Sequence, residues 1–269
     1  MNNRCRKNIE AARLVLMGAI CGDIIGSWYE FSPTKRYDFE LFTEGSKYTD
    51  DTVCTIGIAD ALIHAEPFEQ RLKYWCLKYP RAGYGGMFSS WMHSYIKGAY
   101  NSWGNGSAMR VSPIGAYAKT MEECLSVAKQ SAAITHNHPE GLKGAQAVAS
   151  AIFLALHGRD KKSIKDFIEK EFGYDLSRHY EDIQRVYSFE VSCQKSVPES
   201  IIAFLESTDY ESSIRLAVAY GGDADTMAAI AGGIAAAYYG EIPDPIGDRC
   251  KTLLSNDIIS VINNFNTQL

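Results

Sequence analysis

The 269-residue sequence has no apolar run long enough to cross a bilayer, no lysine- or arginine-rich run, no C-x-x-C pair and no linker-like stretch. Each absence excludes a class of protein. A membrane-spanning helix needs about 20 consecutive apolar residues, and the early apolar segment 14–21 falls well short. A general binder of nucleic-acid backbones needs a basic track, whereas 27 basic residues against 32 acidic ones leave a net charge of −5. Seven cysteines, odd in number and scattered from Cys5 to Cys250, describe neither a disulfide framework nor a zinc ribbon and fit a reducing compartment. There is no H-E-x-x-H sequence and no His-Asp dipeptide to compete as a metal motif. Strand-like alternation is scarce, and no internal repeat interrupts the chain.

What is present is helical. Apolar residues make up 46% and charged residues 22%, an ordinary globular composition, and the length suffices for a sizeable core. Arg4, Arg6 and Lys7 ahead of the 14–21 run look like the start of a secretory signal, but no A-x-A cleavage site follows. The reading is a buried first helix over 9–25 in a cytoplasmic protein, with a signal peptide as the lesser alternative. Apolar periodicity places further helices at 51–65, 68–78, 120–133, 141–157, 163–172, 198–205, 209–219, 226–239 and 257–265. The segment 174–197 reads as helix, loop or lid. A single all-α domain over 1–269 is the simplest account.

Two short stretches carry chemistry. Gly221-Gly222-Asp223-Ala224-Asp225-Thr226 opens an alanine-rich helix, and Tyr48-Thr49-Asp50-Asp51-Thr52 opens another. One carboxylate suffices to cap a helix. A second beside it, in an apolar context, repels the first unless a cation or proton offsets the charge. Taken singly, each stretch reads as a capped helix. Together they offer four carboxylates and up to three hydroxyls, an all-oxygen set suited to magnesium or manganese and large enough for two ions.

Other residues are candidates to line a cleft. Glu30 sits in a glycine-containing loop after the first helix. Gly104-Asn105-Gly106-Ser107-Ala108-Met109-Arg110 is a polar turn whose amides can approach an anion, with Arg110 either pairing a phosphate or bracing a carboxylate in the core. Gly83-Tyr84-Gly85-Gly86 is a second close-approach loop, with Tyr84 available to stack on a ring. His136 and His138 flank Asn137 before Pro139, as a structural hydrogen-bonding pair or as a binding loop.

The ordered series Gly22-Asp23-x-x-Gly26-Ser27-x-Tyr29-Glu30, Thr49-Asp50-Asp51-Thr52, Gly104-Asn105-Gly106-x-x-Met109-Arg110, His136-x-His138-Pro139-x-Gly141 and Gly221-Gly222-Asp223-x-Asp225-Thr226 resembles the ADP-ribosylglycohydrolase family. That family includes dinitrogenase-reductase-activating glycohydrolase and the ADP-ribosylarginine and ADP-ribosylserine hydrolases. Ala224 stands where the family often has threonine, at a position that is not a metal ligand. The resemblance implies an all-helical fold with a binuclear magnesium or manganese site at the base of a cleft. Thr49, Asp50, Asp51, Asp223, Asp225 and Thr226 would hold the metals, and Glu30 would approach them. Gly83, Tyr84 and Gly85 in one loop, and Ser102, Trp103, Gly104, Asn105, Gly106, Ser107, Met109 and Arg110 in another, would wrap ADP-ribose, with His136 or His138 beside them.

The expected function is metal-dependent cleavage at ribose C1, releasing ADP-ribose from a modified target, with Glu30, Asp50 or Asp225 assisting proton transfer. Alternatives are a small ADP-ribose derivative such as an O-acetyl ester, an ADP-ribosylated nucleic-acid end, which the acidic net charge disfavours, or a phosphohydrolase. A non-catalytic protein on this scaffold, as in a lens crystallin, would be expected to show gaps in the metal set. Here all six positions carry oxygen-bearing side chains. The modified residue and the oligomeric state are not specified by any motif.

Overall fold

The computed structural model describes residues 7–95 and 98–269, so Arg4, Cys5 and Arg6 lie outside the described residues. The chain is all-α. Its helices in order are α1 (Ile9–Gly26), α2 (Asp50–His64), α3 (Phe68–Lys78), α4 (Gly86–His93), α5 (Gly106–Met109), α6 (Ser112–Tyr117), α7 (Met121–Ala133) and α8 (Pro139–Leu156). They continue as α9 (Lys161–Phe172), α10 (Tyr180–Val186), α11 (Cys193–Glu206), α12 (Tyr210–Val218), α13 (Ala224–Tyr239), α14 (Asp244–Leu253) and α15 (Asn256–Thr267). No strand forms among the described residues; one isolated bridge joins Gly104 to Ser192. Among the described residues no helix is long and apolar enough to cross a membrane.

The centre is the antiparallel pair α1 and α13, both apolar nearly all round and buried along almost their whole length. Small residues let the two backbones touch. A Cβ on Gly22 would stand 2.1 Å from the Ala228 carbonyl oxygen, and one on Gly26 would stand 2.4 Å from that of Ala224. Because the helices run in opposite directions, the C-terminal end of α1 meets the N-terminal end of α13. Around this pair pack α8, α11 and α12 on α13, α6 and α14 on α1, and α2 against α3 and α15. One continuous apolar core results.

Helix ends differ from expectation where capping decides them. The helix expected to start at Ser163 begins at Lys161, because the Asp160 side chain accepts from the Ser163 amide at 2.8 Å. The helix expected to open at Pro198 begins at Cys193 and runs through the proline. Pro198 lacks the amide hydrogen that would reach the carbonyl of Gln194, so it costs the helix one backbone bond near its start. Helices α4, α5, α6 and α14 have no counterpart in the periodicity, and α10 falls in the 174–197 segment left open between helix, loop and lid. Within 174–197, α10 is followed by an extended strap, 187–192, and then α11.

Candidate functional site

Three helix ends converge. Asp50 and Asp51 open α2, Asp223 and Asp225 open α13, and Glu30 follows the end of α1. Both helix N-termini present a positive dipole end to the carboxylates. Asp23, on the last turns of α1, is fully buried and fixes the entrance of α2. Its Oδ1 accepts the Thr49 hydroxyl at 2.7 Å, and its Oδ2 accepts the Thr49 amide at 2.9 Å, the Thr52 amide at 3.1 Å and the Thr52 hydroxyl at 2.5 Å. Across the site, Thr226 Oγ1 donates to Asp51 Oδ2 at 3.2 Å, and Asn105 Nδ2 donates to Asp223 Oδ2 at 2.7 Å. Asp223 occupies the N-cap position of α13 without capping it. Its carboxylate is turned to the site instead.

The carboxylates are close and largely dry. Asp51, Asp223 and Asp225 are each no more than 6% exposed, and one oxygen from each of Glu30, Asp223 and Asp225 lies within 4.8 Å of the others. Burial, then the charge of Asp225, pushes Glu30 and Asp50 up to about 8. The same two causes hold Asp51 well above the usual carboxylate range. Burial pushes Asp223 up to about 6, and burial with the charge of Asp223 raises Asp225 well above its usual value. Asp51 Oδ1 is buried with no protein partner. Such a set asks for protons or cations. Thr49 and Thr226 spend their hydroxyl protons on carboxylates, which leaves their oxygens as acceptors. The donors are all hard oxygens, so the residues present fit divalent magnesium or manganese.

The cluster floors a cleft of about 270 Å³ lined by Glu30, Asp50, Asp51, Asp223, Asp225 and Thr226 at one end. Gly83, Gly85, Ser102, Gly104, Asn105, Gly106, Met109, Arg110 and His136 line it as well. The other expected substrate residues stand back from it. Ser107 is fully buried and donates to the Gly141 carbonyl at 2.7 Å. The Tyr84 hydroxyl donates to the Tyr79 carbonyl at 2.9 Å. His138 caps α8, and Trp103 packs edge-on against it with ring centroids 5.9 Å apart.

Arg110 braces the wall rather than a carboxylate. It is fully buried, and its Nη2 donates to the Ser131 carbonyl at 3.2 Å and to Thr135 Oγ1 at 2.7 Å. Thr135 Oγ1 in turn lies 2.7 Å from His136 Nδ1. Burial and the Arg110 charge hold His136 well below its usual pKa, so the ring is neutral. Its Nε2 faces the 104–106 turn, where a Cβ on Gly106 would stand 3.1 Å from it.

Several cleft residues escaped the sequence reading. Phe88 and Tyr100 line the cleft from around α4 and the turn before α5, and Phe189 and Val191 line it from the strap. None carried a sequence signal, because an isolated aromatic or valine in an aperiodic stretch has no chemistry to flag it. The strap is held by the Asn105 amide, which donates to the Val191 carbonyl at 2.8 Å, and by the Cys193 amide, which donates to that of Trp103 at 3.0 Å. Asp23 did carry a signal, the Gly22-Asp23 pair of the first motif, without revealing that it organises α2.

The chain matches the ADP-ribosylglycohydrolase family over residues 5–267. It is 25% identical to ADP-ribosylhydrolase ARH3 of Homo sapiens, across 94% of this chain and 93% of that protein. It is 23% identical to ADP-ribosylarginine hydrolase Tri1 of Pseudomonas putida (strain GB-1), across 86% of this chain and 71% of that one. A solved ADP-ribosylglycohydrolase-related protein complex shares the fold, with a TM-score of 0.74 over 97% of this chain and 98% of that one at 24% identity. The match over nearly the full length makes the chain a member of the ADP-ribosylglycohydrolase family, a glycosidic-bond hydrolase on an all-helical scaffold.

Proposed function

We propose that this enzyme hydrolyses the bond at ribose C1 that joins ADP-ribose to a modified protein side chain, and that it needs two divalent cations, Mg2+ or Mn2+, to do so. The observation that carries the reading is the convergence of Glu30, Asp50, Asp51, Asp223 and Asp225 at one end of a glycine-walled cleft. Thr49, Asp50, Asp51, Asp223, Asp225 and Thr226 would hold the ions. When bound, the pair supplies the positive charge that orients ribose hydroxyls and lowers the pKa of water.

The chain's own residues do the rest. The 83–85 and 102–110 segments bind the diphosphate and ribose through backbone amides, and the neutral His136 turns Nε2 to the same wall. Asn105 holds Asp223 in place. Glu30, half-buried and in a loop, is the carboxylate free to exchange a proton. A water oxygen bonds to C1 as the bond from C1 to the target atom breaks. The water's proton passes to a Glu30 carboxylate oxygen, and the departing atom takes up a proton from a solvent water as it leaves, with Glu30 returning its proton to solvent afterwards.

With Mg2+ or Mn2+, the purified protein should release ADP-ribose from an ADP-ribosylated arginine or serine peptide. Chelation should abolish this, and Asp225→Asn and Glu30→Gln should each lower turnover by about 100-fold or more. Full activity after thorough metal removal, or AMP with ribose phosphate as products, would sink the reading.

A further inference from the structure

Beside the cleft lies a second pocket, of about 580 Å³, lined by Lys47, Tyr48, Lys78, Tyr79, Arg81 and Ala82, with Pro80. Two chain segments build both cavities. The stretch that carries Lys47 and Tyr48 continues into Asp50 and Asp51 on the cleft floor, and the one that carries Tyr79 to Ala82 continues into Gly83 and Gly85 on the cleft wall. The pocket is therefore the shoulder of the cleft at its carboxylate end. The Lys47 ammonium is near enough to Glu30 to oppose the upward pull on that carboxyl.

The pocket concentrates positive charge on a chain whose net charge is −5. Lys78 is neutralised: it pairs with Asp257 and stands 5.0 Å over the Trp75 ring. Tyr79 is also committed, its hydroxyl 2.6 Å from Ser255 Oγ and 3.2 Å from Asp257 Oδ2. Lys47 and Arg81 have no ion-pair partner within 4.0 Å among the described residues. Two cations outside any ion pair, beside an aromatic pair in which Tyr48 meets Tyr79 edge-on at 6.1 Å, form a recognition surface for anionic groups.

We propose that this pocket binds acidic residues flanking the modified side chain of the target protein, so that the enzyme prefers ADP-ribosylated sites in acidic sequence. This rests on the function proposed above, in which the target leaves from C1 beside Glu30 and Asp50. An acidic peptide fits better than a nucleic acid, because the two cations form an isolated spot with no basic run leading from it, and the net charge repels a long polyanion.

The test separates binding from catalysis. A short fluorescein-labelled peptide alternating Glu and Ser should bind the full-length protein by anisotropy. Arg81→Glu should weaken it about tenfold, Lys47→Gln by a lesser factor, and added salt should weaken it further. The same peptide with Gln in place of Glu should bind poorly to all three. ADP-ribosylated peptides with acidic and neutral flanks should then differ in kcat/KM for the wild type and differ less for Arg81→Glu, with the neutral-flank rate unchanged. Hydrolysis of both at equal rates, without acidic-peptide binding, overturns the inference and leaves the activity standing. Acidic-peptide binding that depends on Arg81, with no hydrolysis of either, supports the pocket and overturns the activity. Tighter Arg81-dependent binding of a labelled oligothymidylate overturns the peptide assignment in favour of a phosphate backbone.

Discussion

Asp225 raises the proton affinity of Glu30, Asp50 and Asp51 together, because its carboxylate stands among them with little water to screen it. The pH dependence of the metal-free protein follows. Glu30 and Asp50 are pushed up to about 8 and Asp223 to about 6, against about 4 in an unfolded chain. The native state therefore keeps protons that the unfolded chain has released. The stability this contributes is complete below about pH 4 and is lost as pH rises through 6 and then 8. Denaturant titrations in chelator should accordingly show a midpoint that falls from pH 5 to pH 8.5. Asp225→Asn should raise the midpoint at pH 8 and flatten the slope, since it removes the charge that its neighbours resist. A metal-free wild type whose stability is flat across that range would contradict the account.

At the scale of elements, the contact of α1 with α13 sets the site, and glycine makes that contact possible. With the Gly22 Cβ position 2.1 Å from a backbone oxygen, nothing flexible can yield. Gly22→Ala should destabilise the fold by about 3 kcal/mol and weaken Mn2+ binding, since Asp23 and Asp225 ride on the two helices. Gly247→Ala in α14 is the control. Its Cβ would meet only Ile242 Cγ2 at 3.8 Å, and it should gain about 0.5–1 kcal/mol. Chemical denaturation of the two variants measures both signs.

A second device joins loop to loop. Lys35 Nζ donates to the carbonyls of Gln184 and Tyr187 at 2.7 Å and of Tyr220 at 2.5 Å. One ammonium thus ties the Glu30 loop to α10, to the strap and to the turn before Asp223. Lys35→Met should speed hydrogen exchange across 187–192 about tenfold while leaving α1 and α13 protected, because those helices belong to the core and the strap does not.

For the whole molecule, the burial of like charges would couple the binding of a cation to folding. A cation that binds only the native state adds about 2.7 kcal/mol at a concentration 100 times its dissociation constant. The melting temperature at pH 8 should rise with Mn2+ by several degrees and fall back with chelator, and the rise should be smaller at pH 5, where protons already occupy the carboxylates. An unchanged melting temperature at pH 8 would argue against a metal in this cluster.

How much of this is legible in the chain depends on whether a feature is local. The long helices were readable because 3.6-residue periodicity and caps such as Thr120, whose hydroxyl accepts from the Glu123 amide at 3.1 Å, are properties of neighbouring residues. The short ones, α4 to α6 and α10, hold too few turns for a period to emerge, and their formation depends on what packs on them. The two aspartate stretches were readable as helix starts that carry one charge too many. By itself the sequence therefore determined the helical class, the family and the oxygen chemistry available. Only the tertiary structure decided that the two stretches share one site. The antiparallel contact of α1 and α13 brings Glu30 to Asp225, Asp23 anchors α2 beside them, and the strap closes the cleft with Phe189 and Val191. Those are contacts between residues far apart in the chain, set by which helices can approach closely enough to exclude water, and periodicity along a single helix holds no record of them.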